Sequence, residues 1–428
     1  MRTASPRVLL LGLNYPPEPT GISPYTGAMA RGLVRRGFIT RVLTTHPHYP
    51  AWRIQPGYGQ WESTQTVHGV LVTRLLHYVP SRPAGLKRAA SEASFGARLV
   101  GARWGRPDAI VLVSPALISS AAAALRRLLS LRQPPLVVWV QDLYTLGLSE
   151  TGQGQGAVVR AMAVIEGWLL RRADRVVVIH ERFRTRVSED FDIPLDKIEV
   201  VRNWTHLGQS DPVDIDATRA RFGWSSNETV VLHAGNMGVK QGLHNVVEAA
   251  RLAEESGSRV RFVLIGGGSQ LESLQAAGAG LSHLSFMASL DDADFAAALR
   301  SADCLLVNEL PGVSEMAVPS KLTSYFSASR PVIASTDPDG ITAEEIQRAG
   351  AGVVVSSGDP KALLAAAEDL ASDPDRSTAM GAAGLRYRET VLDEASAIEH
   401  FSRILTDLIS PDGALALVDQ PTDQRTVL

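Results

Sequence analysis

Residues 230–243 read VVLHAGNMGVKQGL. Three apolar residues, Val230, Val231 and Leu232, run into a turn that holds Gly235, Gly238 and Gly242, with Lys240 between the last two. Beyond it, Leu243, Val246, Val247 and Ala250 recur at helical spacing. The pattern predicts a strand, a glycine-bearing loop and the start of a helix. Such a junction turns backbone N–H groups and the positive end of a helix dipole toward an anion. It lies just past the middle of the chain, where a second α/β domain would begin.

The same alternation continues on the C-terminal side. Strands are expected at 229–233, 261–265, 283–286, 304–307, 332–334 and 352–355, with helices at 243–255, 269–277, 291–300, 320–328, 342–348 and 359–371 between them. One long helix is expected near 377–409. Residues 411–428 lack an apolar period and hold Pro411, Gly413 and Pro421, which predicts a disordered tail. On the N-terminal side the chain opens with RVLLLGL at 7–13, a proline-rich turn to Thr20, Gly21, a helix over 23–36 capped by Gly37, and the strand TRVLTT at 40–45. Strands at 69–77, 108–113, 136–140, 175–179 and 197–201 and helices at 85–104, 116–130 and 158–172 complete this half. Both halves read as open parallel α/β sheets. Two Rossmann-like domains are expected, at 1–205 and 229–376, with a polar linker at 206–228 that holds a short helix at 216–222, and a helical segment at 377–410. The first turn has no G-x-G-x-x-G, which argues against a dinucleotide there.

Bulk properties narrow the function. The chain has 428 residues, 45% hydrophobic and 20% charged, with a formal net charge of −3. That is an ordinary globular composition, and the charge offers no general field for nucleic acid. Cys304 is the single cysteine, so no intramolecular disulfide or multi-cysteine metal site is expected. The first apolar run is short and lacks a cleavage site, so it reads as a strand rather than a signal peptide. No window reaches the roughly 18 apolar residues of a membrane span. A cytoplasmic protein is expected. The basic segment 84–104 reads as a solvated helix face, or as a peripheral contact with the inner face of an anionic membrane.

Ligands of open parallel sheets sit outside the carboxyl ends of the strands, so the residues just after strands carry the chemistry. In the second half these are Gly235–Gly242, the run Gly266-Gly267-Gly268-Ser269, Phe286–Ser289 and the stretch NELPGVSEMAVPSK at 308–321. In the last of these, Pro319, Ser320 and Lys321 open a helix, ready for a phosphate or a ribose hydroxyl, or simply capped. Two lysines, Lys240 and Lys321, in loops otherwise poor in charge suggest a diphosphate. In the first half, Gly21, His46, His48, Ser114, Asp142 and His180 follow strands. Asp142 either points at a ligand or caps the next turn. His-x-His alone does not predict a metal, and no metal is expected.

Taken together, NYPPEPTGISPYTGAMARGLVRRG at 14–37, THPHYPAW at 45–52, VQDLY at 140–144, RNW at 202–204, HAGNMGVKQGL at 233–243 and VPSKLTSYFSASRPVIAS at 318–335 resemble the bacterial retaining glycosyltransferases of family 4. The likeness is to the colanic-acid and O-antigen exopolysaccharide type. It implies a GT-B fold, with two Rossmann-like domains facing across a cleft and the final helix crossing back to the first domain. It also implies a nucleoside-diphosphate sugar donor, UDP- or GDP-linked, a hydroxyl acceptor, and no cofactor or required metal. Gly235, Asn236 and Lys240 would hold the diphosphate, and the base would lie near Met287; Gly267 is a candidate from its glycine run alone, which lets backbone approach a ligand closely. Pro319, Ser320 and Lys321 would meet phosphate or ribose, and Gly21 would close over the diphosphate. His48, Ser114 and Asp142 would meet the acceptor, a glycan, lipid-linked sugar or small molecule. The family at large has a spaced pair of glutamates where this chain has Met316 and Ser324; Glu309 and Glu315 stand nearby but out of register. A non-catalytic nucleotide-sugar or glycan-binding protein, or a sugar epimerase on the same architecture, is the competing reading.

Overall fold

Buried strands rich in Val, Leu and Ile, most followed by an amphipathic helix, build both halves of this computed structural model. It describes residues 5–19, 21–81, 85–145, 156–204, 213–313 and 320–410. The chain divides into two units. One runs to Arg202 and takes in the stretch from Glu394 onward; the other spans Asn203–Asp393.

The first unit is an eight-stranded sheet of β1 (Arg7–Leu11), β2 (Ile39–Thr45), β3 (Glu62–Val67), β4 (Val70–Leu75), β5 (Ala109–Val113), β6 (Leu136–Val140), β7 (Arg175–Val178) and β8 (Ile198–Val200), in the order β3-β4-β2-β1-β5-β6-β7-β8. All neighbours are parallel except β3 and β4. The helices are α1 (Ser23–Arg35), α2 (Gly85–Gly101), α3 (Leu117–Leu128), α4 (Ala157–Arg172) and α5 (Glu181–Phe191). β1 lies between β2 and β5, so the strand order reverses there and opens a crevice at their carboxyl ends. On α2, Phe95 and Leu99 are buried while Leu86 and Val100 are exposed.

The second unit is a six-stranded, all-parallel sheet of β9 (Thr229–Asn236), β10 (Val260–Gly267), β11 (Leu284–Met287), β12 (Cys304–Asn308), β13 (Val332–Thr336) and β14 (Gly352–Ser356), in the order β11-β10-β9-β12-β13-β14. Its helices are α6 (Ile215–Arg221), α7 (His244–Ser256), α8 (Leu271–Ala277), α9 (Asp292–Ser301), α10 (Ser320–Ser327), α11 (Ile341–Ala349), α12 (Pro360–Ser372) and α13 (Pro374–Thr390). Two hydrophobic clusters cover the faces of the sheet, one around Tyr325 and Phe326 and one around Phe262 and Leu306. The reversal point here lies between β9 and β12.

Several elements differ from the sequence expectation. The antiparallel strand β3 and the helix α5 are additional. The segment near 377–409 is two helices, α13 and α14 (Glu394–Ile409), broken at 391–393. As the family resemblance implied, the final helix belongs to the first unit: Phe401 of α14 meets the ring of Trp139 at 5.3 Å, and Arg36 pairs with Glu399 at 2.6 Å. The short helix expected at 216–222 is α6, but its surroundings are not a linker: Trp224 is buried in the core of the second unit. Residues 205–212 and the tail 411–428 lie outside the described residues. Among the described residues, no helix is long and apolar enough to cross a membrane.

Candidate functional site

In the second unit, β9 ends in His233-Ala234-Gly235-Asn236. Gly235 and its β10 neighbour Gly266 both have φ of +129°. A Cβ on Gly266 would stand 2.1 Å from the Gly235 carbonyl oxygen, and one on Gly235 would stand 3.0 Å from Cε of Lys321. Only glycine lets the two strand ends and this lysine close up in that way.

Lys321 is the second residue of α10. Its Nζ donates to Nε2 of His233 at 2.9 Å, while Nδ1 of the same ring donates to the Leu306 carbonyl at 3.2 Å. Burial first, and the charge of Lys321 second, hold the His233 pKa well below its ordinary value. The ring is therefore a neutral acceptor at Nε2. Burial also lowers Lys321, to about 7, against the opposing pull of Glu309. The Glu309 carboxyl is itself engaged by the hydroxyls of Thr336 and Thr342, and burial raises its pKa. Among the described residues, Lys321 thus hydrogen-bonds to an imidazole and to no carboxylate.

The loop beyond Gly235 is tied down at many points. Gln241 Oε1 accepts from Gly238 N at 3.0 Å and from Asn236 Nδ2 at 3.4 Å. Asn308, buried at the end of β12, donates to the carbonyls of Gln241 (2.8 Å) and Gly242 (3.1 Å) and accepts from Asn245 at 3.0 Å. Leu310 N donates to the Lys240 carbonyl at 2.8 Å. Gly242, at φ +55°, sits where a Cβ would stand 2.9 Å from Leu310 Cα. Lys240 lies in a 3₁₀ turn over 239–241, half-buried.

The structure therefore brings Gly235, Asn236 and Lys321 together at one strand end. Gly267 joins them through its register pairing with Asn236 and its carbonyl, which accepts from Met237 N at 2.8 Å. Glu309 follows β12 beside them. Met287 ends the edge strand β11 and packs on the core, and Ser324 is part-exposed on α10. Ser320 is the first residue of α10. Glu315, Met316 and Pro319 lie outside the described residues. His233 and Asn308 hold this site; they fall in stretches that the sequence singles out, without themselves reading as site residues. Their signal was a polar residue inside an otherwise apolar strand.

In the first unit, Gly21, His48 and Ser114 line one cavity of about 230 Å³ with Asn14, Tyr49, Trp52, Arg88, Ser91 and Glu92. Glu18, only 2% exposed, organises its rim. One of its carboxylate oxygens accepts from His48 N at 2.8 Å and Tyr49 N at 2.9 Å, the other from Asn14 Nδ2 at 2.8 Å. The His48 and His46 rings are engaged by backbone carbonyls, His48 Nδ1 to His46 O at 3.0 Å and His46 Nε2 to Gln60 O at 2.7 Å. Ser114 Oγ donates to the Asp142 carbonyl at 2.9 Å, which ties the ends of β5 and β6. Asp142 itself is not among the residues lining the cavity. Among the described residues, no group of three or more His, Cys, Asp or Glu is placed to hold a metal.

Two parallel Rossmann-like sheets in one chain make the GT-B fold, and solved glycosyltransferases share it over nearly the whole length. Sucrose-phosphate synthase from Thermosynechococcus elongatus is 16% identical with a TM-score of 0.73, covering 95% of this chain and all (100%) of that one. HepE from Anabaena, solved in complex with UDP, is 14% identical with a TM-score of 0.67, covering 94% and 100%. In sequence, residues 20–204 match the glycosyl transferase 4-like domain, and residues 228–373 match glycosyl transferases group 1. The putative colanic acid biosynthesis glycosyl transferase WcaI of Escherichia coli K12 is 30% identical over 418 residues, 92% of this chain and 98% of that one. The chain belongs to this glycosyltransferase family.

Proposed function

We propose that the protein transfers a glycosyl group from a nucleoside-diphosphate sugar, UDP- or GDP-linked, to a hydroxyl acceptor with retention at the anomeric carbon, in polysaccharide, glycolipid or natural-product assembly. The observation that carries this reading is Lys321. Its ammonium lies part-buried beneath Gly235 and hydrogen-bonds to a neutral histidine instead of a carboxylate. A buried cation without a paired anion is costly, and a diphosphate at the Gly235 turn would supply that anion. The colanic-acid relative supports glycosyl transfer, and the UDP complex of HepE supports a nucleotide donor.

In this reading the leaving group is the nucleoside diphosphate, and negative charge grows on it in the transition state. Lys321, Lys240 and the N–H groups around Gly235 and Asn236 stabilise that charge, in the role a metal takes elsewhere. Gly267 and Ser320 add backbone surface, and Met287 lies toward the base. The acceptor hydroxyl attacks from the face the phosphate leaves and passes its proton to the departing oxygen. Ser114 and His48 line the cavity that serves the acceptor, and Asp142 acts on it through the bond from Ser114 Oγ to its carbonyl.

A thermal-shift panel of nucleotides and nucleotide sugars tests the donor assignment, because a ligand that binds only the folded state raises the melting temperature. UDP or GDP and their sugars are expected to shift it. Lys321→Ala and Lys240→Ala should each weaken that shift and lower turnover by about tenfold or more, the scale of a lost charge-assisted contact. A flat response across the panel would sink the reading. Proton NMR of the first-formed product reads the anomeric configuration, and inversion would remove the retaining step.

A further inference from the structure

The cavity of the first unit joins an aromatic surface to a carboxyl group. Trp52 stands edge-on to His48 at 5.5 Å and to Tyr49 at 6.4 Å. Its φ is +49°, a conformation that bulky side chains rarely adopt and that persists only where the surroundings enforce it. Those surroundings are plain: Glu18 holds the N–H groups of His48 and Tyr49, Arg53 N bonds back to His48 O at 3.2 Å, and Gln55 N bonds to Pro47 O at 3.0 Å. The loop so bonded places Trp52 in the lining of the cavity.

From α2 come Arg88, Ser91 and Glu92. Glu92 is 2% exposed, and its Oε2 accepts from Ile118 N at 3.0 Å, at the start of α3. Its Oε1 lies 3.8 Å from Arg88 Nε. That is too long for a hydrogen bond and wide enough for a ligand hydroxyl to bridge the two groups. A flat aromatic face beside a carboxyl, a guanidinium and serine hydroxyls is the chemistry that recognises a sugar ring: C–H groups pack on the ring of Trp52 and adjacent hydroxyls bond to the polar side. The volume, about 230 Å³, falls below the roughly 300–1,000 Å³ of sites for drug-sized ligands. It suits one ring rather than a chain of them.

We propose that this cavity seats a single pyranose ring of the acceptor, with Trp52 against its face and Glu92 binding its hydroxyls. Burial pushes the Glu92 carboxyl up to about 7, so near neutrality it is available both to donate to and to accept from a hydroxyl. The proposal rests on the reading that the chain glycosylates a hydroxyl acceptor, and it is independent of which nucleotide carries the donor.

Saturation-transfer NMR on the full chain with the methyl glycosides of glucose, galactose, mannose and N-acetylglucosamine tests it. At least one of the four should receive saturation from the wild-type protein. Trp52→Ala and Glu92→Ala should each weaken binding about tenfold, the scale of one lost aromatic or charged contact, while Glu92→Gln, which keeps the shape and the bond to Ile118, stays within about threefold. If Glu92→Ala fails to fold for want of that bond, Trp52→Ala decides. The proposal is overturned if none of the four sugars binds, or if binding survives Trp52→Ala unchanged. Calorimetry with UDP separates the two readings: loss of UDP binding alone in Lys321→Ala, with sugar binding intact, speaks only to the donor site.

Discussion

At the scale of single residues, the protonation of Lys321 sets a measurable sign. The groups that face it are His233, kept neutral by burial, and Glu309, held by two threonines. Lys321 titrates at about 7 and must be an ammonium to hold a diphosphate. UDP affinity should therefore fall as the pH rises through 7, with a proton taken up on binding. Lys321→Arg, whose guanidinium stays charged, should flatten that slope; calorimetry at several pH values reads it, and a pH-independent wild type would refute it. Without ligand the sign reverses. An unfolded lysine titrates near 10.4, so the unfolded chain binds more protons between about pH 7 and 10, and Lys321 makes stability rise with pH in that window. His77 works at the acid end. Both its ring nitrogens lack a hydrogen-bond partner among the described residues, and burial, with His48 and His46 beside it, lowers its pKa to about 3. Its neutral form is stabilised above the usual histidine pKa of about 6.5, and that contribution is lost as the pH falls toward 3. His77→Leu should lessen the decline in melting temperature between these limits; an unchanged decline would show that other groups carry the acid sensitivity. The glycines and lysines of this site were legible because turn chemistry and charge stand out in a sequence. His233 was not, because its partner lies 88 positions away and a polar residue in an apolar strand does not say what it binds.

At the scale of elements, the buried parallel strands were the easiest to read. Apolar runs such as LVVWV at 136–140 are covered on both faces and leave little choice. β3 gave no such signal. ESTQTV is mostly exposed at a sheet edge, and its pairing with β4 rests on backbone bonds that side-chain patterning does not record. α5 buries only Phe183, Val187 and Phe191, a stripe of one residue per turn in a charged segment. The break between α13 and α14 falls where no glycine or proline marks it. The glycines lie inside α13 instead, because Gly381 passes Ser329 so closely that a Cβ would stand 2.2 Å from its carbonyl oxygen, and Gly384 rests on Phe326. α14 then buries Ile398, Phe401, Ile404 and Leu405. Phe401 is fully buried against Trp139, so Phe401→Ala should destabilise the first unit by about 3–5 kcal/mol, the usual cost of truncating a buried aromatic ring. Chemical denaturation followed by the combined fluorescence of the seven tryptophans measures it through the transition of the first unit, and a loss below about 1 kcal/mol would mean that α14 adds little to that core.

At the scale of the whole molecule, one unit is interrupted by the other. The second unit is a continuous stretch of chain with two clusters of its own, while the first is completed only by residues after Asp393. The doubling of the α/β pattern was visible in the sequence, because both halves repeat strand, loop and helix. The discontinuity was not visible in the pattern, because it depends on which core a terminal amphipathic helix joins. This arrangement makes the two units separable by experiment. Removing 394–428 uncovers Trp139 and the apolar side of α1, where Gly32 lies so close to Ile398 that a Cβ would stand 2.5 Å away. The second unit keeps its sheet, its clusters and the Lys321–His233 pair. In the truncated chain, the first unit should melt early or fail to fold while a cooperative transition of the second unit persists. UDP at about a hundred times its dissociation constant should stabilise that remaining transition by about 2.7 kcal/mol, and by the same amount the corresponding transition of the full chain. Calorimetry of the two chains with and without UDP reads both effects. If the truncated chain loses its UDP-responsive transition altogether, the second unit does not hold the donor by itself; if the first unit melts unchanged, α14 is not part of its core.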